Sequence, residues 1–111
     1  MVRIKFVSRE QVLAIHGEMI RQFGGEPGLA DFGMLESALT MTKASFGGEY
    51  LHRDIFEMAA AYAFHIAKNH PFIDGNKRTA FMTAMVFLKV NGFEFNDVGR
   101  TLECAMLAIA S

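Results

Sequence analysis

The chain contains 111 residues, 51% of them hydrophobic, and carries a formal net charge of −1 at pH 7. This length is enough for one domain with a single core. Lysine and arginine are scattered and do not form a basic stripe, which argues against direct nucleic-acid binding. Lys89 interrupts the longest apolar run, so no segment is expected to span a membrane.

The amino terminus and the cysteine content bear on cellular location. The first residues, "MVRIKFVSRE", lack the long apolar stretch and the small-residue cleavage site of a secretory signal. The single cysteine, Cys104, cannot form an internal disulfide and fits a reducing compartment. The sequence therefore predicts a cytoplasmic protein.

Apolar spacing and capping signals predict helices in the first half of the chain. Ser8 followed by Gln11 is a capping-box pattern, and apolar side chains then recur at helical spacing until a pair of glycines. This predicts a first helix over residues 9 to 23. Asp31 is the expected N-cap of a second, short helix that ends near Thr42.

Two features of the middle of the chain predict a turn and another helix. Residues 43 to 53, "KASFGGEYLHR", place two glycines between aromatic residues, which suits an exposed hairpin or flap. Asp54, with Glu57 three residues later, is the expected cap of a third helix. Residues 2 to 7 and 92 to 95 alternate apolar and polar side chains, so one short β ribbon is compatible with the sequence.

The segment from residue 77 to residue 90 is almost entirely apolar or small, which predicts a helix buried on all sides. Asn91 and Gly92 supply its stop signal, and a last helix is expected near residues 98 to 110. The predicted fold class is all-α: one small helical bundle around a buried central helix, forming a single domain over residues 1 to 111.

Residues 70 to 80, "HPFIDGNKRTA", crowd polar and charged side chains directly before this central helix. The first turn of a helix presents unpaired N–H groups and a positive dipole end, so Lys77 and Arg78 are unfavourably placed unless an anion offsets them. A bound phosphate would do so, because Gly75 lets the backbone approach closely and Asn76 can donate from its amide. The pattern therefore predicts a site for a nucleotide polyphosphate.

Two further side chains complete the predicted site. Asp74 can cap the helix and can also bind Mg²⁺, which commonly takes one or two carboxylates together with phosphate oxygens. His70 ends the preceding helix before Pro71, and its imidazole can accept a proton from an incoming hydroxyl at neutral pH. Phe72 is expected to anchor the loop in the core. Each residue alone is more often structural, whereas their combination at this spacing favours chemistry.

The motif resembles the signature of the Fic/Doc superfamily. Fic members carry His-Pro-Phe-x-Asp/Glu-Gly-Asn-Gly-Arg-x-x-Arg, and "NKRTA" (76 to 80) makes this version closer to the death-on-curing (Doc) toxins. The stretches "GGEPGLADFGMLESAL" (24 to 39), "FGGEYL" (46 to 51) and "FLKVNG" (87 to 92) also resemble Doc sequences. The resemblance covers the chain from about residue 8 to 95 and implies a small all-α bundle around a central helix.

The resemblance implies a role for each polar residue of the motif. His70 would be the general base for a target hydroxyl, Asp74 a Mg²⁺ ligand, and Asn76 a donor in the anion site. Lys77 and Arg78 would bind the phosphates. The implied cofactor is Mg²⁺, with ATP as the phosphate donor.

Departures from the Fic pattern bear on the reaction. Lys77 replaces the second motif glycine, and Phe81 occupies the position of the second motif arginine, which in Fic proteins helps to orient ATP for AMP transfer. Doc toxins share both departures, and in them ATP sits reversed, so that its γ-phosphate is transferred to translation elongation factor Tu. Gly75, in the nucleotide-binding loop, stands where some Doc proteins have alanine. The resemblance therefore favours kinase activity.

The resemblance also implies protein partners. A Doc-type toxin acts with an antitoxin, here expected to be Phd-like, whose carboxyl-terminal segment folds against it. The segment "FGGEYLHRD" (46 to 54) would be a flap that pairs with a target peptide by strand addition, and a turn with two packed aromatic residues explains it equally well. Doc-like proteins usually continue through a further helical stretch, so ending at Ser111 predicts a domain shortened at its C-terminal end.

Two other functions stay compatible with the sequence. One is AMP or other nucleotidyl transfer to a protein hydroxyl, and the pair Lys77 and Phe81 discriminates against it. The other is a catalytically silent module that binds an antitoxin, which would show no Mg·ATP binding that depends on Asp74.

Three more side chains with reactive chemistry are expected to be structural. His16, beside the apolar stripe of the first helix, is expected to be a satisfied core or boundary histidine rather than a residue that lines the cleft. His52 is expected at the surface of a loop. Cys104 is expected in the core, because no histidine falls at helical contact spacing from it.

Overall fold

Four α-helices and one short β-hairpin form the part of the chain that the structure describes. The structure is a computed structural model, and it describes residues 4–43, 45–46, 49–50 and 54–93. In chain order the elements are α1 (Arg9–Phe23), α2 (Phe32–Thr42), β1 (Ser45–Phe46), β2 (Glu49–Tyr50), α3 (Ile55–Asn69) and α4 (Asn76–Val90).

The helix starts follow from local capping. The Ser8 side chain accepts from the N–H of Gln11, and the Gln11 side chain accepts from the N–H of Ser8, which completes the predicted capping box of α1. Asp31 and Asp54 cap α2 and α3 by accepting from the N–H three residues later. These three predicted helix starts are therefore confirmed. Each such cap stabilises the protein by about 1 kcal/mol.

Helix α4 is the central element of the bundle. It packs against α3 and α1, while α3 also packs against α2. None of the residues from Thr79 to Leu88 is exposed, whereas Lys77, Lys89 and Val90 are exposed. One face of the middle of the helix is fully buried and the other is half-buried, so the predicted burial on all sides is only partly confirmed. The core comprises apolar side chains from all four helices, from the segment before α1 and from the segment between α3 and α4: Val7, Val12, Leu35, Ala38, Leu39, Met58, Ala59, Tyr62, Ile66, Phe72, Ala80, Ala84, Phe87 and Leu88.

The amino-terminal segment crosses the bundle in an extended form. The buried Tyr62 hydroxyl accepts from the N–H of Val7 at 2.9 Å and donates to the Val7 carbonyl at 3.3 Å. The backbone of Lys5 is bonded at both its N–H and its carbonyl by the side-chain amide of Asn91. The Asn91 side chain thus bonds the backbone of Lys5 in the way that a neighbouring β-strand would. Residues 4–7 are not in a strand, so the described part of the expected β ribbon is not formed.

Other predicted features of the secondary structure have mixed outcomes. The hairpin predicted within residues 43 to 53 is present, with β1 and β2 paired antiparallel. Residues 2, 3, 94 and 95 of the expected ribbon lie outside the described residues, as do His52, Cys104 and the expected last helix. None of the described helices is long and apolar enough to cross a bilayer.

Candidate active site

The motif loop, residues 70 to 75, joins α3 to the central helix α4. His70 follows the last residue of α3 in the left-handed conformation, with φ of 49°, and its side chain is exposed. A positive φ at a residue other than glycine is uncommon and costs about 1–2 kcal/mol, although histidine tolerates it better than most. Pro71 and Phe72 then enter the core, and Phe72 is only 2% exposed. Its predicted role as the anchor of the loop is confirmed.

The glycine-rich segment between α1 and α2, residues 24 to 31, lies along the motif loop. The Gly28 carbonyl accepts from the N–H of Ile73 at 3.1 Å, and the Pro71 carbonyl accepts from the N–H of Ala30 at 2.8 Å. Backbone bonds thus join two loops that are far apart in sequence. We call residues 24 to 31 the α1–α2 loop.

The Asp74 carboxylate is held by backbone N–H groups from both loops. Its Oδ2 accepts from Glu26 at 3.1 Å, and its Oδ1 accepts from Gly75 at 2.8 Å. These two hydrogen bonds, followed in effect by the positive charge of Arg78, lower the pKa of Asp74 below its ordinary value. The side chain is exposed and ionised at neutral pH.

The expectation that Asp74 caps α4 is wrong. The N-cap of α4 is Gly75, in the left-handed conformation with φ of 75°, and no side chain caps the N–H groups of the first turn. The Asp74 carboxylate is instead turned toward the N–H of Glu26 in the α1–α2 loop, which no short-range pattern could indicate.

Asp74 has the chemistry of a Mg²⁺ ligand. Each carboxylate oxygen has about two lone-pair positions, and each accepts one recorded N–H bond, so acceptor capacity remains on both. Within the described ranges, no group of three or more histidine, cysteine, aspartate or glutamate side chains could hold a metal. A divalent cation at Asp74 would therefore take its other ligands from outside this set, and Mg²⁺ commonly uses water and phosphate oxygens in this way.

The Asn76 side chain stabilises the motif loop through hydrogen bonds to its backbone. Its side chain is 5% exposed, with Oδ1 accepting from the N–H of Phe72 at 2.9 Å and Nδ2 donating to the Phe72 carbonyl at 2.8 Å. The same Nδ2 lies 3.2 Å from Nδ1 of His70. Both amide hydrogens have acceptors in the loop, so the predicted donation from the Asn76 side chain to an anion would use the Nδ2 hydrogen that faces His70.

The contact with Asn76 also sets the state of the His70 ring. Because the amide can only donate at Nδ2, Nδ1 of His70 acts as the acceptor, and the proton of the neutral ring is on Nε2. His70 can serve as a base once its exposed ring leaves Asn76. The structure thus brings His70, Asp74 and Asn76 together at the start of α4.

The two cations of the motif differ in their surroundings. The exposed Lys77 ammonium makes no hydrogen bond or ion pair within the described part of the chain. The Arg78 guanidinium lies 4.7 Å from the centre of the Phe23 ring, and its Nη1 is 3.5 Å from the Gly24 carbonyl. The first N–H groups of α4 also lack intrahelical acceptors. The helix start therefore presents positive charge that the described residues neutralise only through Asp74.

His16 makes a contact with the motif loop that was not anticipated. It is 5% exposed, and its Nε2 lies 2.8 Å from the carbonyl oxygen of Asp74, which confirms the expectation of a satisfied core histidine. Its ring also stacks on Phe72, with centroids 3.8 Å apart and planes 5° apart. The position beside the apolar stripe of α1 was the only sequence signal, and it does not reveal the contact with the motif loop.

A buried helix that starts at a loop carrying an imidazole, a carboxylate and two cations, inside a small helical bundle, is the architecture expected of a Fic/Doc-type domain. Residues 6–88 match the family model of the Fic/DOC family, and the chain belongs to this family.

Two relatives narrow the similarity to Doc proteins. "Protein kinase doc" of Escherichia phage P1 is 36% identical over 94 residues, which cover 85% of this chain and 74% of that protein. "Toxin Doc" of Mycolicibacterium smegmatis (strain ATCC 700084 / mc(2)155) is 37% identical over 90 residues, covering 81% of this chain and 67% of that protein. The resemblance to Doc toxins inferred from the motif is confirmed.

Proposed function

We propose that this protein is a Doc-type toxin, a Mg²⁺-dependent protein kinase that transfers the γ-phosphate of ATP to a hydroxyl of translation elongation factor Tu and so arrests translation. The observation that carries the proposal is the grouping at the start of α4: an exposed imidazole, an ionised carboxylate and two cations beside unpaired helix N–H groups. The names of the two relatives, a protein kinase and a toxin, support it.

In the proposed reaction, His70 takes the proton of the target hydroxyl after its ring has left Asn76. The hydroxyl oxygen then bonds to the γ-phosphorus of ATP, the bond from that phosphorus to the bridging oxygen breaks, and ADP leaves. Lys77, Arg78 and the N–H groups of α4 stabilise the negative charge on the phosphoryl oxygens. Asp74 would hold Mg²⁺, which when bound neutralises phosphate charge.

Transfer of AMP to a protein hydroxyl is the alternative within the enzyme class. Phe81, half-buried on the first turns of α4, has no group that could orient distal phosphates as an arginine does, and this favours γ-phosphate transfer. Changing Lys77→Gly and Phe81→Arg together should increase the share of α-phosphate transfer if this reasoning is correct.

A catalytically silent module is the alternative of a different class. The proposed partner is a Phd-like antitoxin, both for this module and for the toxin. For the toxin, the proposed location is the cytoplasm, because elongation factor Tu acts there. Calorimetric titration with Mg·ATP separates the two functions. A kinase binds Mg·ATP and loses affinity in Asp74→Asn, whereas a silent module shows no binding that depends on Asp74.

The test of the proposed function is label transfer to purified elongation factor Tu, with Mg²⁺ and ATP labelled at either the α or the γ phosphate. We expect γ label in the target and none with His70→Ala. Incorporation of α label would replace the kinase by a nucleotidyl transferase. Absence of both labels would remove the proposed target or the enzymatic function.

A further inference from the structure

His16 is a buried histidine that the proposed reaction does not use. It belongs to α1 and lies 58 positions before Asp74 in sequence, yet it contacts the motif loop in two ways. Its Nε2 is 2.8 Å from the Asp74 carbonyl oxygen, and its ring lies parallel to that of Phe72 at 3.8 Å. A side chain on Gly75 would also meet it, since a Cβ there would lie 3.8 Å from Nε2.

The hydrogen bond has a defined direction. A backbone carbonyl oxygen can only accept, so Nε2 of His16 carries the proton and donates it. The bond thus requires the ring tautomer, or the protonated ring, that has a hydrogen on Nε2.

The peptide unit between Asp74 and Gly75 is consequently held at both of its polar groups. Its carbonyl is fixed by His16, and its N–H is fixed by Oδ1 of the Asp74 side chain at 2.8 Å. Rotation of this peptide plane would break both bonds and would leave the Asp74 carboxylate with the N–H of Glu26 as its one remaining backbone donor among these contacts. The same peptide leads directly into the N-cap of α4, so its orientation also aims the free N–H groups of the helix start.

We propose that His16 is a positioning residue of the phosphate-transfer site: its Nε2–H holds the Asp74–Gly75 peptide so that the Asp74 carboxylate and the first N–H groups of α4 face the same phosphate. This inference rests on the proposed function for its effect on the reaction. The ring stack on Phe72 positions His16, and the hydrogen bond transmits that position to the loop.

Two substitutions separate the stack from the hydrogen bond. His16→Phe retains a planar ring that can stack on Phe72 and removes the donor. His16→Gln removes the ring and retains an N–H donor at the corresponding distance along the side chain. Val12→Ala is the matched control, because Val12 is 0% exposed one turn earlier on α1, and its truncation weakens the core without removing a bond to the loop.

The kinetic experiment measures kcat, KM for the target protein, the half-saturating Mg²⁺ concentration and Tm for each variant, with whichever labelled phosphate the parent transfers. His16→Phe should lower kcat by about 10–100-fold and raise the half-saturating Mg²⁺ concentration, as is typical when a partner of a metal ligand is removed. KM for the target protein should stay within about threefold, because target contacts are unchanged. His16→Gln should recover most of the loss.

The opposite pattern would overturn the proposal. If His16→Phe and His16→Gln lose activity only in proportion to their loss of Tm, as Val12→Ala is expected to do, His16 is a packing residue. The same holds if the half-saturating Mg²⁺ concentration of His16→Phe equals that of the parent.

A measurement without substrate separates this proposal from the proposed function. In ¹⁵N spectra of the protein alone, the Nε2–H signal of His16 should be protected from exchange, and the amide signals of residues 73 to 76 should shift or broaden in His16→Phe and return toward the parent in His16→Gln. Unchanged loop signals in His16→Phe would overturn the positioning role. If the parent transfers neither label, the proposed function fails and these spectra alone decide the role of His16.

Discussion

At the scale of single residues, the motif loop depends on backbone positions as much as on charged groups. Gly25 in the α1–α2 loop has φ of +119°, and a Cβ at this position would lie 2.8 Å from Oδ2 of Asp74. A glycine outside the motif is therefore needed to keep the carboxylate where the N–H of Glu26 binds it. The space beside Asp74 is set by this second loop.

Gly25→Ala should impair the site and the fold together. The strained φ costs about 1–3 kcal/mol of unfolding free energy, and the added methyl displaces the Asp74 carboxylate, so the half-saturating Mg²⁺ concentration of phosphate transfer should rise about tenfold. Urea unfolding and transfer assays at several Mg²⁺ concentrations measure the two effects.

The matched control is Gly17→Ala, because Gly17 lies inside α1 and a Cβ there meets nothing within 4 Å. This change should stabilise the protein by about 0.5–1 kcal/mol and leave transfer unchanged. Equal behaviour of the two variants would contradict the role assigned to Gly25.

Tyr62 provides a prediction about pH. Burial raises the pKa of its hydroxyl to about 12, so the folded state keeps the proton that the unfolded chain releases near its ordinary value of 10.0. The folded pKa is the higher one, and the stability it contributes is therefore present below pH 10 and is lost as the pH rises toward 12.

Tyr62→Phe isolates this contribution. At pH 7 the variant should be less stable by about 1–3 kcal/mol, because the buried N–H of Val7 loses its acceptor. The difference in unfolding free energy between parent and variant should narrow above about pH 10, the ordinary tyrosine pKa. Urea titrations at pH 7 and at higher pH check both points, and a constant difference would contradict the burial of the hydroxyl.

At the scale of elements, α4 begins with a conflict between stability and function. Its first turn has no acidic residue and no side-chain cap, and it carries the exposed Lys77 beside the positive end of the helix dipole. A bound polyphosphate would offset this repulsion. Without it, Lys77 is expected to cost stability.

Lys77→Ala should therefore raise the unfolding free energy by about 0.3–1 kcal/mol while it lowers phosphate transfer. Lys68→Ala is the control of opposite sign, because Lys68 lies in the last turn of α3, where a cation is favourable. It should lose a few tenths of a kcal/mol, by the same dipole argument, and keep full activity. Thermal melts and transfer rates test the pair, and a loss of stability in Lys77→Ala would contradict the expected conflict.

At the scale of the whole molecule, one aromatic cluster joins the helices to the amino-terminal segment. Phe87 of α4 is 0% exposed, and its ring lies 5.1 Å from that of Tyr62 and 6.1 Å from that of Phe6. The cluster joins α4, whose start carries the motif, to α3 and to the segment before α1. Its packing therefore keeps α4 in place against α3.

Phe87→Ala should cost about 3–5 kcal/mol, a large part of the stability of a small domain. Phe64→Ala is the surface control, since its residue is 57% exposed and its ring contacts His65 and Lys68, which are neighbours on α3. That change should cost less than about 1 kcal/mol. Chemical denaturation of both variants measures the difference, and similar losses would place Phe87 outside the core.

The sequence predicted the helices of the described region and grouped the residues of the candidate site because the relevant signals are local. Capping boxes, helical spacing and stop residues involve atoms within about four residues of each other, and they located α1 to α4. The motif itself is contiguous, so His70, Asp74 and the two cations could be found together. Their charge at a helix start is the local signal from which the phosphate site is predicted.

Only the tertiary structure decided how that site is held. The bond from Glu26 to Asp74 spans 48 positions and that from His16 to Asp74 spans 58, so neither has a local signal. The same packing turned Asp74 away from capping α4. The sequence by itself determined which groups meet at the start of α4, because they are neighbours along the chain. Tertiary packing determined their orientation, because the groups that hold them come from α1 and the loop that follows it.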